Sequence, residues 1–294
     1  MKDHKAGFVS IVGKPNVGKS TLMNVLVGEK LSIITSKAQT TRHRIMGIIS
    51  DEDFQIVYSD TPGILDPQYA LHQSMMAFVH GALEDADLIL FINDLYEDVP
   101  PNDPILKKIN QSGIPVLFVF NKIDQAKGTQ VHDKITNWKE KLKAVDYVPI
   151  SALEKQGTDE LMKKIIDQLP NHPPYFPKDE LTDKPLRFFA AEIVREKIFL
   201  NYKKEVPYST EVLITEFKNE PEIIRIRAEI FVERKSQKGI LIGHKGAALK
   251  KVGTEARLDL ESFFSKKVFL ETHVKVADDW RKQQQKLKQF GYRG

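Results

Sequence analysis

The chain has 294 residues, more than one hydrophobic core ordinarily serves, so two domains are expected. Apolar residues make up 41% and charged residues 29%; no run approaches the roughly 18 apolar positions of a membrane span, and the absence of cysteine excludes disulfides and thiolate metal sites. The net charge of +4 is unevenly divided: residues 1–184 hold 21 Lys and Arg against 25 Asp and Glu, residues 185–294 hold 23 against 15, and the C-terminal part is therefore expected to meet a polyanion.

Met1-Lys2-Asp3-His4-Lys5 leads directly into a strand-like run, FVSIV at 8–12, without the long apolar region and small-residue cleavage site of an export signal. A cytoplasmic location is expected. The run ends in Gly13-Lys14-Pro15-Asn16-Val17-Gly18-Lys19-Ser20, which matches GxxxxGK[ST], and a helical pattern over 20–27 follows. Glycines let backbone N–H groups turn toward phosphate oxygens, and the helix N-terminus adds a favourable dipole. Lys19 is expected to bridge the outer phosphates and Ser20 to hold Mg²⁺. Gly13, Asn16, Val17, Gly18 and Thr21 complete the phosphate-binding set.

Between that helix and a second strand at 44–49, Ala38-Gln39-Thr40-Thr41-Arg42 offers hydroxyls to the same Mg²⁺ while a γ-phosphate is present. Thr41 is preferred to Thr40; an ordinary exposed loop residue is the alternative for either. A third strand at 54–59 runs into Asp60-Thr61-Pro62-Gly63. Asp60 would reach Mg²⁺ through water and the Gly63 N–H would bond the γ-phosphate, whose loss would release the loop. Lys19, Thr41 and Gly63 are thus the expected catalytic set. Ile64 follows, where several nucleotide hydrolases carry a glutamine that orients the attacking water. Isoleucine has neither donor nor acceptor, so water must be placed by backbone, loops or a cation, and slow turnover is expected.

Apolar runs at 88–93, 116–121 and 147–151 alternate with helical patterns such as 69–83 and 159–169, which argues for a mostly parallel α/β sheet with helices on both faces. Ligands of such sheets bind at the carboxyl ends of the strands. There lies Asn121-Lys122-Ile123-Asp124. A carboxylate at Asp124 can accept two hydrogen bonds from the N1–H and exocyclic amine of guanine, a donor pair that adenine lacks. Lys122 would pack along the base or nucleotide loop, Asn121 would tie two loops together, and Ser151-Ala152-Leu153 suits a loop whose backbone N–H meets the guanine oxygen.

Four prolines in residues 170–177 forbid a continued helix and place a boundary there. The expected division is a nucleotide domain at 1–171, a linker at 172–185, a second domain at 186–278 and a short amphipathic or frayed tail at 279–294. The second domain reads helix (186–200), strands (209–217 and 222–233), helix (247–264) and strand (267–276), an α+β order. Between two helical segments stands Gly243-His244-Lys245-Gly246, within residues 234–251, which carry Arg234, Lys235, Lys238, Lys245, Lys250 and Lys251 and no acid. Small residues let backbone approach nucleotides, and basic side chains neutralise phosphates. Ile242, Gly243, His244, Lys245, Gly246, Lys250 and Lys251 are the expected polyanion contacts, and the family resemblance that these residues help to carry implies that the polyanion is RNA. The second GxxG, at 291–294, is read as an accident of composition.

GKPNVGKS, QTTR, DTPG, NKID and SAL, in that order, resemble the translation-factor-related class of GTPases. With ILIGHKGA, Lys250-Lys251 and Val206-Pro207-Tyr208-Ser209 added, nearly all 294 residues resemble the Era family of bacterial ribosome-assembly GTPases. The resemblance implies an α/β P-loop GTPase domain followed by an α+β type II KH domain, with Mg²⁺ as cofactor. It also implies binding to 16S rRNA near its 3′ end and to the assembling 30S subunit, GTP control of RNA access, and peripheral contact with the inner face of the cell membrane. A monomer is expected. Asn16 matches the residue that helps bind K⁺ in potassium-stimulated relatives. The main alternative is a membrane-associated signalling GTPase whose basic domain meets lipid or protein; a metabolic P-loop kinase is a second, which leaves NKID and SAL unexplained.

Overall fold

In the computed structural model, residues 4–97 and 103–292 are described. Met1–Asp3 and the last two residues of the 291–294 GxxG lie outside them. Strand β1 (Lys5–Gly13) is buried almost throughout, and α1 (Lys19–Val27) follows its C-terminal loop. The other elements of the nucleotide domain are β2 (Ile45–Ser50), β3 (Phe54–Asp60), α2 (Ala70–Glu84), β4 (Leu88–Asn93), α3 (Pro104–Gln111), β5 (Val116–Phe120), α4 (Gln130–Lys141), β6 (Asp146–Pro149) and α5 (Thr158–Gln168). The sheet order is β2-β3-β1-β4-β5-β6, parallel except for β2 against β3. Every residue of β4 and β5 is buried, as strands covered on both faces require. The parallel strands bring the loops after β1, β3, β4, β5 and β6 to one edge of the sheet.

By compactness the chain divides into one unit of residues up to Ser32, Thr41–Asp66 and Met75–Asp183, and another of Ile33–Thr40, Pro67–Ser74 and the residues from Lys184 onward. Residues 172–183, read as linker, pack within the first unit. The Gln55 side chain accepts from the N–H groups of Tyr175 and Phe176 and donates to the Phe176 carbonyl. Further along, Ile48 N–H donates to the Leu181 carbonyl and Met46 N–H to the Asp183 carboxylate.

The second unit contains α6 (Leu186–Asn201), β7 (Glu211–Asn219), β8 (Ile223–Val232), α7 (Lys235–Ile242), α8 (Ala247–Phe264) and β9 (Lys267–Val276). Its sheet order is β7-β8-β9, antiparallel then parallel, the αββααβ order expected of a type II KH domain. One face of α6 (Ala190, Ile193, Val194, Ile198) joins Val252, Ala256 and Leu260 of α8 and alternate residues of β8 in one apolar core. The tail is anchored rather than frayed. Trp280 is fully buried and its indole N–H donates to the Ser209 carbonyl, α9 (Gln284–Gln289) buries Leu287, and the Tyr292 hydroxyl donates to Glu211. Aromatic anchors with satisfied polar tips fix a segment whose flanking sequence is almost wholly polar.

Candidate functional site

The loop after β1 is built on backbone that side chains resist. Gly13 has φ 158° and Gly18 φ 100°. A Cβ on Gly13 would lie 2.3 Å from the Ile92 carbonyl, and one on Gly18 would lie 2.2 Å from the Asn121 amide nitrogen. Asn16, exposed, also occupies the left-handed region. Its side chain is offered outward at the loop's tip. Lys19 is buried beneath the loop and donates to the carbonyls of Gly13 (3.1 Å) and Lys14 (2.8 Å). Burial pulls its ammonium down to about 8, against the attraction of Asp60. Such an ammonium gains from an anion that enters the loop.

Three oxygen donors converge beside it. Ser20 Oγ donates to Asp60 Oδ2 at 2.7 Å and lies 2.9 Å from Thr41 Oγ1. Asp60 is fully buried and its Oδ1 has no hydrogen-bond partner. Burial pushes its carboxyl up, opposed by the Ser20 hydroxyl and by Lys19. A buried carboxylate oxygen without a partner, next to two hydroxyls, suits a hydrated hard cation with oxygen ligands. The Thr40 hydroxyl turns elsewhere, 2.7 Å from Thr35 Oγ1 and donating to the Lys37 carbonyl.

Gly63 presses on the phosphate loop so closely that a Cβ would fall 2.6–2.8 Å from Pro15, and the next N–H, of Ile64, donates to the Gly13 carbonyl. Ile64 itself packs against the core cluster that contains Val12, Met76 and Val79. Ile64 is half-buried there. Thr21 lies in the first turn of α1, half-buried, and Val17 is fully buried.

Asn121 joins two loops, as expected. Its amide donates to the Val17 carbonyl at 2.8 Å and its oxygen accepts from Ala152 N–H at 2.9 Å. Lys122 takes a left-handed backbone and its ammonium donates to the Asn16 carbonyl at 2.7 Å. Asp124 is exposed, and its Oδ1 accepts from the Ser151 hydroxyl at 2.6 Å.

In the second unit, Gly243 ends α7 with φ 70° and ψ −179°, and a Cβ there would meet that of Ala248 at 2.6 Å. His244–Gly246 form a single tight turn in which Lys245 is left-handed (φ 48°), and α8 starts at once. Gly246, at φ 81°, has open space where a Cβ would stand. His244, Lys245, Lys250 and Lys251 are exposed, and Ile242 is half-buried against the core. Lys251 also lies 3.7 Å from Glu255, a partly exposed pair of small energetic weight. The turn therefore presents bare backbone flanked by cations.

Known proteins resemble the chain over its whole length. A family model described as 50S ribosome-binding GTPase matches residues 8–122, and one described as KH domain matches residues 205–281. GTPase Era of Syntrophus aciditrophicus is 44% identical over 291 residues, covering 98% of this chain and 95% of that protein. Chloroplastic GTPase ERA1 of Zea mays is 44% identical over 298 residues, covering 99% of this chain and 71% of that protein. The chain belongs to the Era family of GTPases. A crystal structure of Era in complex with MgGDPNP and nucleotides 1506–1542 of 16S ribosomal RNA superposes with a TM-score of 0.92 at 44% identity, covering 98% of this chain and 99% of that one.

For this Era-family GTPase the sequence reading passed over Asp94. Its buried carboxylate lies 2.6 Å from the Lys122 ammonium and accepts from the N–H groups of Tyr96 and Glu97. Its position was a usable signal, since Asp94 follows β4 directly, at the one central strand end to which no motif had been assigned. Thr61 was passed over too; its hydroxyl donates to the Ile11 carbonyl and locks the start of the loop after β3 to β1.

Proposed function

We propose that the chain is a GTP-hydrolysing switch that binds 16S rRNA near its 3′ end and assists assembly of the 30S subunit. The observation that carries this reading is the full-length likeness to an Era held with MgGDPNP and nucleotides 1506–1542 of 16S rRNA, together with the bare GHKG turn flanked by cations. In this reading residues 1–171 form the GTPase domain, 172–185 the connection, 186–278 the KH domain and 279–294 its tail. Gly13, Asn16, Val17, Gly18, Lys19, Ser20 and Thr21 hold the phosphates. Asn121, Lys122, Asp124, Ser151 and Ala152 hold guanine and its loops. Ser20, Thr41 and, through water, Asp60 hold Mg²⁺, which supplies electrostatic stabilisation of the transferring phosphoryl group. Lys19 neutralises its oxygens and the Gly63 N–H bonds the γ-phosphate.

No side chain at position 64 orients the attacking water, so electrostatics must supply the acceleration. Asn16 is the residue through which we propose K⁺ adds positive charge near the leaving group; hydrolysis rates equal in potassium and sodium at matched ionic strength would remove it from the scheme.

Ile242, Gly243, His244, Lys245, Gly246, Lys250 and Lys251 meet the RNA, the protein acting as a cytoplasmic monomer. Peripheral contact with the inner membrane face would not draw on the tail's Trp280, Leu287 and Tyr292, which are buried. The test is crosslinking in cells with protein loaded with a non-hydrolysable GTP analogue, then mapping of the attached RNA. Reads concentrated at the 3′ end of 16S rRNA are expected. Uniform coverage, or recovery of lipid vesicles in preference to rRNA, would overturn the reading.

A further inference from the structure

The eight residues Ile33–Thr40, which lead into Thr41, belong to the same compact unit as α6. They are tied to that helix along their length. Ile34 N–H donates to Glu196 at 3.3 Å, and the Lys37 ammonium donates to the carbonyls of Tyr202 (2.5 Å) and Phe199, at the C-terminal end of α6 where a cation is favoured. The last tie is the most buried. Arg195, 1% exposed, donates from Nη2 to the Thr40 carbonyl at 2.5 Å while Nε and Nη2 hold Glu192 at 2.8 and 2.5 Å. Burial penalises the guanidinium charge, and Glu192, with Glu211 beyond it, offsets that penalty.

A buried ion pair is a poor way to gain stability, since apolar residues of similar volume do as well. It is a good way to fix a direction, because a planar fork held by a carboxylate cannot swing. Here the fork points at the carbonyl of the residue preceding Thr41. We infer that Arg195 is a positioning residue for the GTPase reaction: held by Glu192, it sets the carbonyl of Thr40 and hence the place from which the Thr41 hydroxyl reaches Ser20 and the metal. Lys37 serves the same end from the other side of the turn, which the Thr35 and Thr40 hydroxyls close. The inference rests on the reading of Thr41 as a Mg²⁺ ligand in the GTP state, and it adds a requirement that no nucleotide motif contains.

The experiment uses full-length protein and measures single-turnover GTP hydrolysis as a function of Mg²⁺, with GDP affinity alongside. Arg195→Lys keeps a charge beside Glu192 and loses the fork; Lys37→Met loses the donor at the end of α6, and Lys37→Arg restores one. For Arg195→Lys and Lys37→Met the maximal rate is expected to fall on the order of tenfold, and the Mg²⁺ needed for half of it to rise. GDP affinity should change by less than about twofold, because Thr41 responds only to the γ-phosphate state. Lys37→Arg should recover most of the rate, and adding Arg195→Lys to Thr41→Ala should lower it no further. Wild-type rates and Mg²⁺ dependence in both variants, or losses that add to that of Thr41→Ala, would overturn the inference while Thr41 kept its role. A Thr41→Ala protein with full activity would instead overturn the reading of Thr41 itself. Should Arg195→Lys fail to fold, the Lys37 pair carries the test alone.

Discussion

Thr41 Oγ1 lies 2.9 Å from Ser20 Oγ, whereas the hydroxyl of Thr40 is spent inside its own turn on Thr35 and the Lys37 carbonyl. Two adjacent threonines thus have separate tasks. Thr41→Ala should slow GTP hydrolysis by at least on the order of tenfold and raise the Mg²⁺ needed for half-maximal rate. Thr40→Ala should retain GDP binding and show a smaller rate loss, through a looser turn. Stopped-flow phosphate release at several Mg²⁺ concentrations separates the two.

Asp124 is exposed and is held at one carboxylate oxygen by the Ser151 hydroxyl. Asp124→Asn replaces an acceptor by a donor facing guanine N1–H, so GTP affinity should fall by about 2 kcal/mol, roughly thirtyfold. Xanthosine triphosphate, which presents an acceptor where guanine has its amine, should gain relative to GTP. Competitive displacement of a fluorescent GDP reads both.

Burial lowers the Lys19 ammonium to about 8, so between that pH and its ordinary value of 10.5 the unfolded chain binds more protons than the folded one. Stability gains from this group as pH rises through that window. Nucleotide binding should reverse the shift, because phosphate favours the charged form. At pH 8 a GTP analogue should then bind with uptake of about half a proton. Calorimetry in two buffers of different ionisation enthalpy measures it, and Lys19→Ala should abolish it.

The two glycines of the GHKG turn differ as targets. Gly243 has no room for a Cβ, so Gly243→Asp should disturb the turn itself as well as weaken RNA binding. Gly246 has open space, and Gly246→Asp should place a negative charge at the turn with only about 1 kcal/mol of backbone strain. Lys245→Ala should weaken binding to a single-stranded rRNA fragment and reduce the slope of log K against log salt by about 0.7. Filter binding across a salt series checks all three, and GTP binding should not change.

Ile64 is half-buried against the core cluster that contains Val12, Met76 and Val79, so Ile64→Gln would set an amide partly against apolar neighbours. No acceleration of hydrolysis is expected. The substitution should instead lower stability by roughly 1–3 kcal/mol, seen as a reduced denaturation midpoint.

The strands and the long helix α8 were legible because their apolar residues recur with the period of the element, and the nucleotide loops because each stands at a strand end. Asp94 stands at a strand end too, which marks it as a candidate, but its partner Lys122 lies in another loop and only the fold brings the two together. Arg195 escaped for a stronger reason. Nothing in the helical pattern 186–200 marks it, and only the fold reveals that it is buried together with Glu192 and Glu196. The packing of the tail goes further than an amphipathic pattern announces: one tryptophan and one tyrosine among lysines and glutamines give no periodic signal, yet each finds a buried acceptor.

The stretch at 172–183 has a practical bearing on how the protein tolerates being cut. It lies along the outer side of β2, the last strand of its sheet, and takes up N–H groups of Met46 and Ile48 that would otherwise face outward. A nucleotide domain excised at Asn171 would therefore expose a ready template for strand addition and should self-associate, whereas one ending after Asp183 should stay dispersed.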